Sequence, residues 1–387
     1  METAVTATPS ATDIAVVGAG PAGCAAALAL ADSGLRVVLI DRATFPRDKV
    51  CGDAIPGPAF KALHAIRPAW ADRLFDLPVS QNIRSSRIVS SSGRSLTLHW
   101  VTRSYNARRT DFDAALLQLV REETDTVILE GKAVQKLDGR QDGVELEFAD
   151  ATRLRAQLVI GADGANGQCA RQLAGFKIDH AHHCAAVRVY AKNMKGLTPD
   201  QNLFFLLRNH LPGYFWIFPL TETSANVGFG MLSETVKTRG RSLRHDLLDI
   251  IEKEPVLQPY FQGAQLSEDL KGFGLPLGSR RFPLTGHRFL LCGDAGSLID
   301  PLQGHGIDKA MISGRLAALR AWAALREQRF DPSFLAAYER EVYARFGSEF
   351  RRNYRLMQWL NRQPALFEWA MWGADNPVGR RILQWFS

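Results

Sequence analysis

Three glycines at fixed spacing are the first residues in this chain that could do chemistry. Gly18, Gly20 and Gly23 form a G-x-G-x-x-G pattern between an apolar run, residues 14–17, and a helical run that starts at Cys24. A strand, a glycine turn and a helix in this order can hold a diphosphate, because backbone N–H groups and the helix dipole face its oxygens. Gly18 permits the tight turn, Gly20 lets the backbone approach the diphosphate, and Gly23 allows the helix to pack closely.

An acid stands where such a site needs one. The apolar run at residues 35–40 predicts a second buried strand, and Asp41 follows it directly. A carboxylate at this point accepts hydrogen bonds from the hydroxyls of an adenosine ribose and repels a 2′-phosphate. The pattern therefore favours FAD or NAD over NADP as the bound dinucleotide.

The composition is that of a folded protein from a reducing compartment. A length of 387 residues suits roughly two to three domains. Hydrophobic residues at 46% and charged residues at 22% exclude a disordered chain or a disulfide scaffold. The net charge of +7 favours anionic cofactors or an anionic membrane surface, and we expect no nucleic-acid partner. Five scattered cysteines without a C-x-x-C pair predict a cytoplasmic location.

Periodic runs farther along the chain predict the remaining elements. They are a hairpin over residues 83–100, a helix over 111–123, an antiparallel sheet within 177–285, a buried strand over 288–292 and a helix over 306–326. Residues 1–12 predict a frayed leader, with structure starting at Asp13, and the first helix should end near Gly34. No run is long and apolar enough to predict a membrane span.

Two further glycine motifs carry a resemblance. GADGANG stands at residues 161–167, and CGDAGSLIDPLQGHGI stands at residues 292–307. Together with the first glycine turn and Asp41, they resemble the three motifs of FAD-dependent oxidoreductases of the p-hydroxybenzoate-hydroxylase fold type. The resemblance implies FAD as cofactor and a mixed α/β fold. In that fold a Rossmann-like domain with a parallel sheet is joined to an antiparallel-sheet substrate domain and C-terminal helices.

The resemblance also implies cofactor roles for individual residues. Asp294 matches the acid that contacts the flavin ribityl chain, and Asp163 matches a second acid that links the cofactor to backbone loops. Arg109 matches an arginine that precedes an F-D-x-x-L helix and lies near the cofactor. The predicted FAD site is completed by Arg42, Gly304, Gly306 and Ile307.

Two segments resemble geranylgeranyl reductase-like flavoproteins. PRDKVCGD at residues 46–53 is similar to their C-G-G or C-G-D segment, and YFWIFP at residues 214–219 is similar to their Y-x-W-x-F-P motif. This resemblance implies reduction of carbon–carbon double bonds in a hydrophobic, isoprenoid or polyene-like substrate. Leu220 and His305 stand where relatives often carry lysine and glutamate, which leaves the substrate open.

The same two segments supply the candidate catalytic residues. Cys51 lies where the family places a cysteine near the isoalloxazine, and a partly exposed thiol can donate the proton that completes the reduction. Tyr214, Trp216 and Phe218 alternate, so they should project from one face of a strand and line an apolar substrate cavity. We therefore predict catalytic roles for Cys51, Tyr214 and Trp216, and substrate binding by all three aromatic residues.

A flavin-dependent monooxygenase or halogenase is the alternative function. YFWIFP also resembles the W-x-W-x-I-P segment of halogenases, and the same cavity would hold an aromatic or carrier-bound substrate. Halogenases need a lysine that captures hypohalous acid, but Lys49 and Lys61 are expected to be solvated at the surface. A flavin-bearing redox partner without activity would keep the glycine motifs as well. NAD(P)H or a reduced small protein would bring electrons, because no second G-x-G-x-x-G unit follows.

The motifs and runs together predict six segments. The FAD-binding domain is assembled from three of them, residues 13–82, 106–176 and 286–330. The substrate domain comprises an inserted hairpin, residues 83–105, and the main segment, residues 177–285, and a C-terminal helical segment covers residues 331–387. The C-terminal segment mixes arginines with four tryptophans, Trp359, Trp369, Trp372 and Trp385. Such amphipathic helices suit packing on the FAD-binding domain, a lid over a lipid-like substrate, or peripheral membrane contact.

The remaining histidines and cysteines predict structural roles. The cluster at residues 179–183 contains three histidines but lacks a partner set at ligand spacing, so we expect the start of a strand and no metal. Four cysteines adjoin apolar or small residues and should be packed thiols: Cys24, Cys169, Cys184 and Cys292.

Overall fold

The computed structural model describes residues 8–363 of the chain. Within them the helices are α1 (Pro21–Ala29), α2 (Gly57–His64), α3 (Pro68–Phe75), α4 (Arg109–Glu123), α5 (Gln168–Leu173), α6 (Ser233–Thr238), α7 (Leu243–Lys253), α8 (Gln258–Phe261), α9 (Ile307–Glu327) and α10 (Pro332–Arg362). The strands are β1 (Ala11–Val17), β2 (Val37–Ile40), β3 (Ala54–Ile55), β4 (Gln81–Ser90), β5 (Ser95–Asn106), β6 (Val127–Leu129), β7 (Val134–Arg140), β8 (Gly143–Phe148), β9 (Arg153–Gly161), β10 (His183–Lys192), β11 (Gln201–Leu206), β12 (Tyr214–Pro219), β13 (Ala225–Leu232), β14 (Gln265–Leu266), β15 (Lys271–Pro276), β16 (Thr285–Gly286) and β17 (Phe289–Leu291).

The first sheet carries the glycine turn. Its strands lie in the order β16-β17-β9-β1-β2-β6, and β8 joins β9 with β7 beyond it. β1 pairs in parallel with both β2 and β9, so the loops after these three strands leave the sheet at the same carboxyl edge. Ligands of open α/β sheets bind at this edge. The sheet therefore brings the first and second glycine motifs, distant in sequence, to one place.

The second sheet has the order β14-β10-β13-β12-β11-β4-β5-β3, with β15 paired to β10. Its pairs are antiparallel except for β4 and β11, which run in parallel. On one face, alternate apolar residues such as Phe215, Val227 and Phe229 pack with Leu247 and Ile250 of α7 into a core. The opposite face is free to form the wall of a site.

Long helices complete the fold on the side of the first sheet. α1 packs against α9 so closely that a Cβ on Gly314 would lie 2.1 Å from the carbonyl oxygen of Ala22. α10 begins at an Asp331 cap and buries Tyr338, Phe346 and Phe350. Trp359 is 38% exposed, whereas Trp369, Trp372 and Trp385 lie outside the described residues. Among residues 8–363, no helix combines the length and apolar character needed to cross a bilayer.

Most predicted elements are confirmed, with shifted ends. The hairpin forms from β4 and β5, and the helix expected over residues 306–326 is α9. β1 begins at Ala11, earlier than Asp13, because its first residues pair with β9. α1 ends at Ala29 instead of near Gly34, since the chain turns before β2 and the Ser33 hydroxyl donates to the carbonyl of Leu30. The segment boundaries stay predictions.

Candidate active site

Residues from both sheets line a cavity of about 600 Å³. Of the fifteen predicted site residues, all except Gly23 lie on its wall. Those on the wall are Gly18, Gly20, Asp41, Arg42, Cys51, Arg109, Asp163, Tyr214, Trp216, Phe218, Asp294, Gly304, Gly306 and Ile307. The motifs therefore meet in space, while the role of each residue stays a prediction.

The turn after β1 needs glycine for two different reasons. Gly18 has a φ of +106°, and a Cβ there would lie 2.3 Å from the carbonyl oxygen of Ala162. A Cβ on Gly23 would lie 1.7 Å from the carbonyl oxygen of Gly18, because α1 packs directly on the turn. Around Gly20, the part of the chain that the structure describes places one atom within 4 Å of an added Cβ, Nη2 of Arg47 at 3.5 Å. Gly20 thus keeps space open before the α1 N-terminus, where a diphosphate fits.

Asp41 connects the glycine turn to the loop after β2. Its Oδ2 accepts the backbone N–H of Ala19 at 2.8 Å, and its Oδ1 accepts that of Ala43 at 2.9 Å. A carboxylate has about four lone-pair positions, so both oxygens can still accept a ribose hydroxyl. Arg42 is exposed at the edge of the cavity. This geometry is compatible with the predicted ribose contact.

Asp163, in the second motif, faces its own loop. Its Oδ2 accepts the backbone N–H of Cys169 at 2.9 Å, and a Cβ on Gly167 would lie 2.1 Å from its Cγ. Burial raises the pKa of this carboxyl group. Its Oδ1 is buried and has no hydrogen-bond partner within residues 8–363.

The third motif folds against the second sheet. Asp294 lies in a 3₁₀ turn, Gly293–Gly296, and lines the cavity. In the loop that follows, Oδ1 of Asp300 accepts two backbone N–H groups at 2.9 and 2.8 Å. Gly304 has a φ of +70°, and a Cβ there would lie 2.7 Å from the hydroxyl of Tyr214. The predicted flavin loop and the aromatic strand β12 are therefore in direct contact.

A buried ion pair holds Arg109 at the cavity wall. Its Nε and Nη2 donate to the two oxygens of Asp113, each at 2.7 Å, and Nη1 of Arg47 lies 3.2 Å from the same carboxylate. Burial alone would lower the pKa of Arg109. The electrostatic interactions and hydrogen bonds with Asp113, and next with Cys51, are stronger than this effect, so the pKa of Arg109 is raised. A permanent cation therefore lies beside the Cys51 thiol.

One buried amide fastens the Cys51 loop to the second sheet. Nδ2 of Asn226 donates to the carbonyl oxygen of Cys51 and to Oδ2 of Asp53, each at 2.8 Å. Oδ1 of Asn226 accepts the indole N–H of Trp216 at 2.9 Å. Tyr190 donates its hydroxyl to the same Asp53 oxygen at 2.8 Å. Asn226 thus fixes the loop and the aromatic wall relative to each other.

The cavity face of the second sheet is apolar. Tyr214, Trp216 and Phe218 all line the cavity, as their alternation predicts, and the ring of Phe204 lies 5.6 Å from that of Tyr214 and 5.0 Å from that of Phe218. A Cβ on Gly228 would lie 2.1 Å from the Trp216 indole, so this glycine makes room for the ring. The wall continues through Leu275, Ile299, Leu302 and Met357.

Comparison with known proteins decides the family. The sequence profile of the FAD binding domain family matches residues 11–347. The chain belongs to this family. It is 31% identical over 355 residues to the menaquinone reductase of Mycobacterium tuberculosis, covering 84% of this chain and 82% of that protein. It is 28% identical over 365 residues to the digeranylgeranylglycerophospholipid reductase of Methanocella arvoryzae, covering 89% of this chain and 86% of that protein.

Solved structures support the same assignment for this FAD-dependent oxidoreductase. A geranylgeranyl bacteriochlorophyll reductase-like protein of Thermoplasma acidophilum has a TM-score of 0.78 and 25% identity, covering 90% of this chain and 87% of that chain. A flavin-dependent brominase, Bmp2, also has a TM-score of 0.78. Its sequence is 19% identical, and the match covers 96% of this chain and 92% of that chain. The second likeness shows a shared fold. The predicted flavoprotein fold, the geranylgeranyl reductase-like resemblance and FAD as cofactor are confirmed.

The described residues fit FAD at three points. The open space before α1 suits the diphosphate, since an added Cβ on Gly20 meets a flexible side chain rather than backbone. Asp41 has lone pairs left for the adenosine ribose. Asp294 lies on the cavity wall, where its carboxylate could accept from the ribityl hydroxyls. When bound and reduced, FAD supplies a hydride.

One prediction about the cavity wall is wrong. Lys49 is not solvated at the surface: its ammonium lies 3.2 Å from the centre of the Phe273 ring and lines the cavity, and burial lowers its pKa to about 8. Cys184 is half-buried and lines the cavity, and it packs against the apolar cluster that contains Leu277 and Ile299, as predicted for a packed thiol. Lys61 is exposed, and Cys24, Cys169 and Cys292 are buried, as predicted.

The histidine cluster has structural contacts. Nδ1 of His182 lies 2.8 Å from the hydroxyl of Ser279, and Nδ1 of His183 lies 2.7 Å from that of Ser233. β10 begins at His183, which confirms the predicted start of a strand. Across residues 8–363, His, Cys, Asp and Glu side chains form no group of three or more that could hold a metal ion.

Three buried polar residues at the site escaped the sequence analysis: Asp53, Arg188 and Asn226. Asp53 ends the segment PRDKVCGD, where the resemblance gives it no role, and the other two lie inside apolar strands. A polar side chain within an apolar strand is a usable signal, because a buried polar group needs a partner. The sequence could have marked Arg188 and Asn226 in this way, although their partners depend on tertiary structure.

Replacing Asp53 with asparagine should remove a pH-dependent loss of stability. Burial raises the pKa of Asp53 from 3.8 to about 6, although the hydrogen bonds from Asn226 and Tyr190 lower it in part. The folded protein thus holds this proton more tightly than the unfolded chain. Ionisation therefore destabilises the fold progressively between these pKa values, and the effect is complete above about pH 6. Asparagine also tolerates the φ of +67° at this position.

Urea unfolding of the flavin-bound proteins from about pH 4 to about pH 7 measures this effect. At about 1.4 kcal/mol per pH unit, wild type should lose up to about 3 kcal/mol relative to Asp53→Asn across the range. Asp72→Asn, on the exposed surface of α3, is the matched control and should follow wild type. If the free energy of unfolding changed with pH equally in Asp53→Asn and wild type, the Asp53 carboxyl would have the same pKa in the folded and the unfolded protein, and the prediction would be wrong.

Proposed function

We propose that this enzyme reduces carbon–carbon double bonds of a hydrophobic isoprenoid, with reduced FAD as hydride source. The observation that carries the proposal is the apolar wall of Tyr214, Trp216 and Phe218, which continues to Met357 and lies beside the half-buried Cys51 thiol. Such a wall excludes water and accepts an extended hydrocarbon chain. The named relatives, which reduce menaquinone and digeranylgeranylglycerophospholipid, support a lipid-like substrate.

The chain supplies the proton and the geometry of the reduction. An isolated double bond is weakly electrophilic, so an acid must protonate one carbon as the other receives hydride. Cys51 is the proposed acid, with its loop held by Asn226. The hydroxyl of Tyr214 donates to the carbonyl of Gln303 at 2.9 Å, and the indole N–H of Trp216 is taken by Asn226. These two aromatic residues therefore act by positioning the substrate, together with Phe218.

Anaerobic turnover with product analysis tests the proposal. The flavin is reduced with NADH, with NADPH or with a reduced small protein, which also identifies the electron donor, and the enzyme is then mixed with a menaquinone or a geranylgeranyl lipid. After any quinol has been reoxidised in air, the expected product is heavier than the substrate by two hydrogen atoms per reduced carbon–carbon double bond. Flavin that stays reduced in the presence of both substrate types would overturn the proposal.

Replacing Cys51 with alanine should lower turnover about 10²- to 10⁴-fold while FAD stays bound, because a general acid is lost. Turnover and flavin absorbance per chain, measured on the same sample, separate the two effects. Cys184→Ala removes the other thiol on the cavity wall and should retain most of the turnover. If Cys184→Ala is the inactive variant and Cys51→Ala is active, the proton donor has been assigned to the wrong residue.

Halogenation of an aromatic substrate is the second candidate, and the position of Lys49 favours it. This ammonium faces the cavity, where halogenases are expected to need a lysine. Aerobic reaction with bromide or chloride and a phenol or pyrrole tests this function by the mass of a halogen in the product.

We place the enzyme in the cytoplasm, with residues 331–387 contacting the membrane from which a lipid substrate is drawn. Liposome pelleting tests that contact.

A further inference from the structure

Arg188 is a buried cation with unused hydrogen-bond donors at the cavity wall. It lies in β10, its side chain is 1% exposed, and it lines the cavity. Nη2 donates to Oδ1 of Asp48 at 2.6 Å, whereas Nε and Nη1 have no hydrogen-bond partner among the described residues. A buried guanidinium with free donors is unfavourable unless a further group completes its contacts. The proposed reduction gives this arginine no task.

The register of the sheet places Arg188 beside the aromatic wall. Arg188 pairs with Gly228, and Gly228 pairs with Trp216 on its other side, so Arg188 and Trp216 lie on one face across a residue without a side chain. The guanidinium carbon lies 4.2 Å from the centre of the Tyr190 ring. The free nitrogens are therefore at the end of the apolar wall, where a hydrocarbon chain on the wall would place a polar head.

The surrounding charges favour an anionic oxygen as the missing group. The carboxylate that pairs with Arg188, Asp48, also pairs with Lys271 at 2.7 Å, and Lys271 pairs in turn with Asp269 at 2.7 Å, so Asp48 is shared between two cations. Lys49 adds a third positive charge. Its ammonium lies over the ring of Phe273, in strand β15, which pairs with β10. Another buried carboxylate, Asp53, accepts hydrogen bonds from Tyr190 and Asn226 instead of from Arg188. The free donors of Arg188 therefore form a cationic end to the apolar wall of Tyr214, Trp216 and Phe218.

We propose that Arg188 forms an anion subsite that binds a phosphate or carboxylate oxygen in the head group of the substrate. The inference rests on the proposed function for the hydrocarbon part of the substrate. The subsite orients an amphiphilic isoprenoid, with its chain along the aromatic wall and its head at Arg188. Since charge-assisted hydrogen bonds are stronger than neutral ones, this end discriminates between anionic and uncharged isoprenoids.

Equilibrium binding of two matched probes tests the subsite. Farnesyl diphosphate and farnesol share one hydrocarbon chain, and each is titrated into the protein with bound, oxidised FAD by calorimetry. Wild type should bind the diphosphate more tightly, and Arg188→Met should lower the ratio of the two affinities about 10- to 100-fold. Arg188→Lys keeps a cation for Asp48 and should lower the ratio less. Arg84→Met, an exposed arginine of β4 away from the cavity, is the matched control and should leave the ratio at the wild-type value.

Several outcomes would overturn the proposal. One is a ratio close to one in wild type between the affinities for farnesyl diphosphate and farnesol. Another is a ratio that both Arg188 variants leave unchanged. Loss of FAD from Arg188→Met would assign the arginine to the phosphates of the cofactor. A raised KM for NADH in flavin reduction, with an unchanged affinity ratio, would assign it to the electron donor. Because binding is measured without turnover, a wild type that binds both probes and reduces neither contradicts the proposed function and not the subsite.

Discussion

Replacing Gly20 with valine is expected to deprive the enzyme of FAD while the flavin-free fold stays intact. Gly20 has a φ of −76°, which any residue adopts, and an added Cβ there meets the flexible end of Arg47 at 3.5 Å. The valine methyl groups would fill the space before the α1 N-terminus. Loss of two or more backbone hydrogen bonds to a diphosphate should weaken FAD binding about 100-fold or more. Titration of flavin-free protein with FAD measures the affinity, and thermal unfolding of the same protein measures the fold.

Gly23 supplies the contrast that makes this result specific. A Cβ at Gly23 would overlap backbone, 1.7 Å from the carbonyl oxygen of Gly18, so Gly23→Val should destabilise the flavin-free protein itself. Gly139→Val, in β7, is the neutral control, because the described residues leave 4 Å free around an added Cβ. Wild-type FAD affinity in Gly20→Val would mean that the diphosphate lies elsewhere. An unstable Gly20→Val protein would contradict the open space assigned to this glycine.

The glycine turns could be predicted from the sequence because their chemistry is local. A φ of +106° at Gly18, or a helix that packs on its own turn at Gly23, constrains residues a few positions apart. The alternation of Tyr214, Trp216 and Phe218 is also local, since a strand alone decides which side chains share a face. The position of these features on one cavity follows from the order of motifs known in the family.

The network behind the cavity could not be predicted in the same way. Asn226 meets Cys51 and Asp53 from more than 170 residues away, because β13 passes under the loop after β2. Nothing near Asn226 in the sequence names those partners. Lys49 shows the opposite error: a lysine in the polar run R-D-K is typical of a surface, but its loop lies across β15, where Phe273 receives the ammonium. Tertiary contacts, not local pattern, decide these residues.

The loop over residues 47–53 is the element on which both proposals depend. Its beginning is tied to the second sheet through Asp48, which pairs with Arg188 and Lys271. Its end is tied through Asn226. Cys51 lies between these two attachments, at the wall of the cavity. The loop can therefore hold a proton donor at a fixed distance from the aromatic wall, provided that the sheet keeps both attachments.

Asn226→Asp is accordingly expected to inactivate the enzyme at neutral pH without removing FAD. The amide donates to the Cys51 carbonyl and to Asp53 Oδ2, and a carboxylate cannot donate to either. Two buried carboxylates would then face each other, which costs at least about 3 kcal/mol and moves the Cys51 loop. At about 1.4 kcal/mol per factor of ten, we expect turnover to fall about 100-fold at pH 8. Asn226 does not line the cavity, so flavin absorbance per chain should stay that of wild type.

The pH profile of this variant tests its cause. A proton shared between Asp53 and the carboxyl group introduced at position 226 restores a hydrogen-bond donor. Because the second carboxylate raises the pKa of the pair above the value of about 6 that Asp53 has in wild type, the activity of Asn226→Asp relative to wild type should rise as the pH is lowered from about 8. The double variant Asn226→Asp/Asp53→Asn exchanges donor and acceptor between the two positions and should recover some of the turnover at neutral pH. Steady-state turnover across the pH range, on samples of equal flavin content, measures both effects. A flat ratio to wild type, or a double variant as inactive as the single one, would mean that the amide serves packing and that the Cys51 loop is positioned by other contacts.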